Sequence, residues 1–185
     1  MGKLRNRGFT LVEILVVIGI IVLLASLSYA GIMSAMEYAK RCACISNLRQ
    51  IGLAALTYAQ ENDANMFPWA GEDATAVDHL NILIESNAML TPELFVCPAS
   101  KGKVPAKEDE NGRFILTEKN CTIRCSKVPL SPGDYPKKIL LADAHMRGNG
   151  DDSFGGHKGG ICVYRIGGSC EFVKVKKLPD GWVKP

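Results

Sequence analysis

Apolar positions along this chain follow two different rules. Residues 14–36 contain no charge and are apolar almost without interruption. Farther on, Ile45, Leu48, Gly52, Ala55 and Ala59 recur at three- and four-residue steps, while Lys40, Arg41, Asn47, Arg49 and Gln50 stay polar. The unbroken run suits a helix in an apolar medium, and the stepped pattern suits one buried stripe of an amphipathic helix. No proline precedes Pro68, so one helix over residues 9–61 is predicted, roughly 80 Å long at 1.5 Å per residue. Residues 14–36 alone would reach about 35 Å, enough to cross a hydrocarbon core of about 30 Å.

Beyond the long helix the elements are short. Residues 62–71 read as a stop and loop, and residues 78–90 as a second helix with Leu80, Leu83, Ile84 and Ala88 inward. Segments 97–112 and 127–138 concentrate prolines, charges and glycines and read as surface loops. Residues 114–116 and 138–142 read as strands. Residues 160–166 and 169–176 read as a hairpin turning at Gly167-Gly168, where glycine tolerates the positive φ of a tight turn. The expected fold class is α+β, a long N-terminal helix packed on a small antiparallel sheet.

Composition narrows the function. The chain has 185 residues, room for one modest domain and accessory segments rather than a two-domain cofactor enzyme. Hydrophobic residues make up 47% and aromatics 7%, which argues against disorder and against base stacking on single-stranded nucleic acid. The net charge of +3 comes entirely from Lys3, Arg5 and Arg7, because the remainder balances 19 bases against 19 acids. A neutral body offers no footprint for a phosphate backbone, so no nucleic-acid partner is expected. Basic residues ahead of the apolar run place the N-terminus in the cytoplasm and the rest across the membrane.

Glu13 lies inside the apolar region, where an ionised side chain costs about 2.5 to 3.5 kcal/mol. It needs a cation. A cut after Gly8 would supply one as the new amine of Phe9, in the same chain or a neighbouring one. An ordinary secretory signal, with an apolar core at residues 14–25 and a small-residue site at Ser28-Tyr29-Ala30, leaves Glu13 without a purpose, as does an uncut anchor.

Arg7-Gly8-Phe9-Thr10-Leu11-Val12-Glu13 resembles the processing motif of type IV pilins and type II secretion pseudopilins. The resemblance implies a pilin-like fold, cleavage after Gly8 and methylation of Phe9 by a prepilin peptidase/N-methyltransferase, and a role for Glu13 in assembly with other pilin or pseudopilin subunits. It also implies an inner-membrane, single-pass protein with an extracytoplasmic C-terminal domain, drawn into a filament. The organisation is then a leader at 1–8, a transmembrane half-helix at 9–36, an amphipathic half at 37–62 and an exported domain at 63–185. A structural subunit is expected, not an enzyme.

A second resemblance rests on Cys44-Ile45-Ser46-Asn47-Leu48-Arg49-Gln50-Ile51-Gly52-Leu53, on Phe95-Val96-Cys97-Pro98 and on His157-Lys158-Gly159-Gly160. These are similar to pseudopilin-like proteins with a His-x9-Asp-Gly C-terminal motif. Here the residue after nine positions is Gly167, so the acid is missing while Gly167 and Gly168 can still make the bend. His157 is expected to pin the glycine-rich loop 148–160 to the hairpin.

Seven cysteines in an exported domain suggest disulfides, with at least one cysteine left free or paired between chains, or buried free thiols. Cys42 and Cys44 lie about 200° apart around a helix and cannot bridge. A two-residue turn at Gly167-Gly168 sets Cys162 opposite Val173 and Cys170 opposite Arg165, on opposite faces. Cys97, Cys121 and Cys125 remain candidates, and Cys44 can meet Cys97 if that loop docks on the helix. Asp143, His145, Asp151, Asp152 and His157 fall close together without the spacing of a known metal motif, so no cofactor is expected. The pseudopilin resemblance implies at most calcium, at Asp143, Asp151 and Asp152. The competing function is a membrane-anchored hydrolase or binding protein using Asp143, His145 and His157 for metal or acid-base chemistry.

Overall fold

The long helix forms as its pattern requires. In the computed structural model, which describes residues 9–100, 102–126, 128–143, 157 and 159–174, α1 runs over Leu11–Glu61. It is followed by α2 (Ala76–Glu85), a 3-10 turn (Pro92–Phe95), β1 (Ile123–Cys125), β2 (Ile139–Asp143), β3 (Gly160–Arg165) and β4 (Cys170–Lys174). The fold is α+β, a long N-terminal helix with a small four-stranded antiparallel sheet, as in pilins. The chain divides into two compact units, Met1–Tyr38 and Ala39–Pro185.

In the first unit every large apolar side chain of residues 11–36 exposes more than half its surface. By length and composition this helix can cross a membrane. Its polar groups are satisfied locally: the Ser26 and Ser28 hydroxyls donate to the carbonyls of Leu23 and Leu24 at 2.8 and 2.9 Å.

In the second unit the end of α1 buries Cys44, Leu48, Ile51, Ala55 and Ala59 in one stripe. Ile45, expected in that stripe, is half-buried at its margin. Gly52 faces Tyr164 of β3 so closely that a Cβ would stand 2.4 Å from the ring, so only glycine lets helix and sheet meet there.

The strands run in the order β1-β2-β3-β4, every neighbour antiparallel. The register sets Asp143 opposite both Ile123 and Cys162, and Leu141 opposite both Cys125 and Tyr164. Directly opposed residues share a face, so Ile123, Cys125, Leu141, Asp143, Cys162 and Tyr164 all point to the face that joins the core with α1.

Three local expectations are corrected. Helix α2 starts at Ala76 because Thr75 caps it in a reciprocal box with Asp78, and it ends at Glu85 because Asn87 turns left-handed at φ +56°. Residues 114–116 are not a strand. The backbone of Leu116 is held by the Asn81 side chain, which accepts from its N–H at 2.9 Å and donates to its carbonyl at 3.2 Å. The strand lies instead at Ile123–Cys125, a stretch for which no strand was expected. The hairpin loop has three residues, 166–168, closed by Gly168 N–H to the Arg165 carbonyl with Gly168 at φ +81°. Cys162 therefore opposes Phe172, Cys170 opposes Tyr164, and the two cysteines share a face.

Candidate functional site

Two groups of residues carry chemistry. At the N-terminus, Glu13 Oε2 accepts hydrogen bonds from both the backbone N–H and the hydroxyl of Thr10 at 2.8 Å, and its own N–H donates back to Thr10 Oγ1 at 3.3 Å. This reciprocal box caps α1 at its first turn. Phe9, the residue before it, is exposed, and Gly8 lies outside the described residues.

The second group is buried in the exported domain. Cys44 comes from the buried stripe of α1, Cys97 from the loop after the 3-10 turn, Asp143 from the end of β2 and His157 from a single bridge to Gly160 ahead of β3. All four are at most 2% exposed, and one donor atom of each lies within 4.8 Å of the others. His157 Nε2 is 3.5 Å from Cys97 Sγ and 3.3 Å from Asp143 Oδ2. The latter is an ion-pair distance without hydrogen-bond direction, so neither carboxylate oxygen of Asp143 accepts a hydrogen bond among the described residues. Cys162, opposite Asp143 on β3, stands beside the group and donates weakly to the Arg41 carbonyl at 3.9 Å.

Surrounding bonds hold these side chains in place. The Cys97 N–H donates to Thr122 Oγ1 at 2.8 Å, and that hydroxyl donates to the Phe95 carbonyl at 3.2 Å. In the Cys97-Pro98-Ala99-Ser100 turn, Ala99 N–H donates to the Cys97 sulfur at 3.4 Å and Ser100 N–H to the Cys97 carbonyl at 2.9 Å. Phe172 meets the His157 ring edge-on at 6.2 Å between centroids, and Arg41 covers the Phe172 ring at 4.1 Å.

The close packing spreads the proton affinities. Contact with Cys44 holds the Cys97 thiol below its ordinary range, and contact with Cys44 and then His157 brings Cys162 down to about 6. Cys44, facing Cys162 and Cys97, is pushed up. Burial opposes charging His157, but Asp143, Cys162 and Cys97 outweigh it and raise the ring to about 12. Protons in such a group belong to the set rather than to one residue.

Residues 3–29 match the family model described as the prokaryotic N-terminal methylation motif. The chain carries a prepilin-type N-terminus. No curated protein and no solved structure matches it. As in prepilins, that motif implies processing by a prepilin peptidase and pilin-type assembly, and with the apolar helix it fits a membrane-anchored protein.

In this prepilin-like chain Asp143 and His157 come together, as do Cys44 and Cys97, while all seven cysteines are free thiols. His145, Asp151 and Asp152 lie outside the described residues. The Asp143 carboxylate faces sulfurs and an imidazole, a donor set unlike the all-oxygen shell calcium takes. His157 bridges Gly160 at the base of the hairpin, and Gly167 packs so closely on Pro136 that a Cβ would meet it at 2.9 Å. Sequence reading took Cys44–Cys97 and Asp143–His157 as separate questions. Their union depends on the docked loop and on the β2–β3 register, which no local spacing encodes.

Proposed function

We propose that this chain is a structural subunit of a type IV pilus-like or type II secretion pseudopilus filament rather than an enzyme. It is cut after Gly8 by prepilin peptidase, methylated on Phe9 and held in the inner membrane with its C-terminal domain outside the cytoplasm. The observation that carries this reading is the prepilin motif over residues 3–29 running directly into a helix with its apolar surface exposed. Such a surface is suited to lipid before assembly and to neighbouring helices after it. In the free chain Glu13 is satisfied by Thr10, and a neighbouring Phe9 amine would give it a charged partner on assembly.

The hydrolase reading has less support, because Asp143 and His157 are buried to within 2% of full exclusion and offer a substrate no approach. Mass spectrometry of protein from its native host should find N-methylated Phe9 as the first residue. Glu13→Ala should be inserted and processed but yield few filaments. An unprocessed Met1, a start at Gly31, or normal filament yield from Glu13→Ala would overturn the proposal.

A further inference from the structure

We propose that Cys44, Cys97, Asp143 and His157 form a tetrahedral zinc site that fastens the exported domain together. Four donor atoms from four separate segments converge within 4.8 Å in the absence of water-exposed surface. Around a zinc ion with ordinary bond lengths, neighbouring nitrogen, oxygen and sulfur ligands stand roughly 3.3 to 3.8 Å apart at the tetrahedral angle. Two of the edges are 3.5 Å, from His157 Nε2 to Cys97 Sγ, and 3.3 Å, from the same nitrogen to Asp143 Oδ2.

The second observation is the carboxylate. Asp143 is 2% exposed and both its oxygens lack a hydrogen-bond donor among the described residues. A buried carboxylate without donors is costly, and the one cation beside it among the described residues, the His157 ring at 3.3 Å, is shared with the Cys97 sulfur at 3.5 Å. A single imidazole nitrogen placed between a sulfur and a carboxylate cannot satisfy both by hydrogen bonding, whereas a metal between the three serves all of them. The outer contacts match those of a ligand shell. Ala99 N–H donates to the Cys97 sulfur, Thr122 fixes the Cys97 backbone, and Phe172 stands against the imidazole.

Thiolate and imidazole donors favour zinc over the hard cations calcium and magnesium. On binding, the Cys44 and Cys97 thiols each release a proton to solvent and the metal takes their sulfur lone pairs. Asp143 binds as the carboxylate, His157 gives up its Nε2 proton to solvent as well and binds through that nitrogen as the neutral ring, and no redox change occurs. Cys162, with its sulfur turned toward the Arg41 carbonyl, stays outside the shell.

The test uses the full chain, purified in detergent without chelator. Elemental analysis should find one zinc per chain, retained through gel filtration and retained in the Cys42→Ser and Cys170→Ser controls. The Cys97→Ser and Asp143→Asn variants should fall to a small fraction of that content. Cobalt exchanged into the wild-type chain should give the intense visible bands of a tetrahedral ion and a sulfur-to-cobalt charge-transfer band sized for two thiolates. This reading does not depend on any variant folding. Metal-free wild-type protein whose mass and thiol count show a Cys44–Cys97 disulfide would overturn the proposal. So would a weak octahedral cobalt spectrum, or Asp143→Asn that keeps its zinc with three thiolates bound.

Discussion

His79 shows how one residue can set a pH response. Its ring is 1% exposed and stacks on Trp69 at 4.6 Å between centroids, and its Nδ1 accepts the Ala70 N–H at 2.8 Å. The ring must therefore be neutral with its proton on Nε2, which has no hydrogen-bond partner among the described residues. Burial holds its pKa below 6.5, with the charge of Asp78 opposing only in part. The unfolded chain then takes up this proton first as pH falls, so the contribution is whole above 6.5 and is lost below it. Melting of the full chain in detergent should become easier below that pH, with a slope from this group of at most about 1.4 kcal/mol per pH unit. His79→Gln, which keeps an acceptor for Ala70, should melt with a smaller pH dependence than the wild type. An identical dependence would mean that the neutral ring is not what acid disturbs.

Among elements, the segment around Leu116 is the most instructive. Phe114 and Leu116 alternate with Ile115 as a half-buried strand should, and the burial follows: Phe114 and Leu116 are inside, Ile115 is out. What alternation cannot reveal is where the backbone bonds go, and here one Asn81 side chain on α2 takes both. Asn81→Ala should leave the N–H and carbonyl of a buried residue without partners, costing about 1 to 3 kcal/mol. The expected readout is a lower urea midpoint at unchanged slope. No change in midpoint would show that water replaces the amide. The hairpin was legible from its glycines, but its loop length was not, and one residue decides which face every β4 side chain takes.

At the scale of the whole molecule the two compact units meet different demands. Residues 11–36 expose their apolar side chains, whereas the unit Ala39–Pro185 has an apolar core of its own, built from the end of α1, α2 and one face of the sheet. A chain beginning at Ala39 should accordingly remain monomeric and folded without detergent, checked by sedimentation and circular dichroism. The full chain should require detergent or lipid. Aggregation of the shortened chain would mean that the core needs residues before Ala39.

Residue order alone determined the long helix, the charged leader, the misplaced Glu13 and the existence of a hairpin. Each of these follows from local chemistry: helical periodicity, charge in an apolar run, glycine at a turn. Only the tertiary structure decided that Cys44, Cys97, Asp143 and His157 converge. Their spacing along the chain obeys no motif, because they are brought together by a helix stripe, a docked loop and the β2–β3 register acting at once. The same holds for Gly52, which the stepped pattern places on the buried stripe but which only the structure sets against Tyr164. Local pattern fixes which side chains point inward, and packing fixes which of them meet.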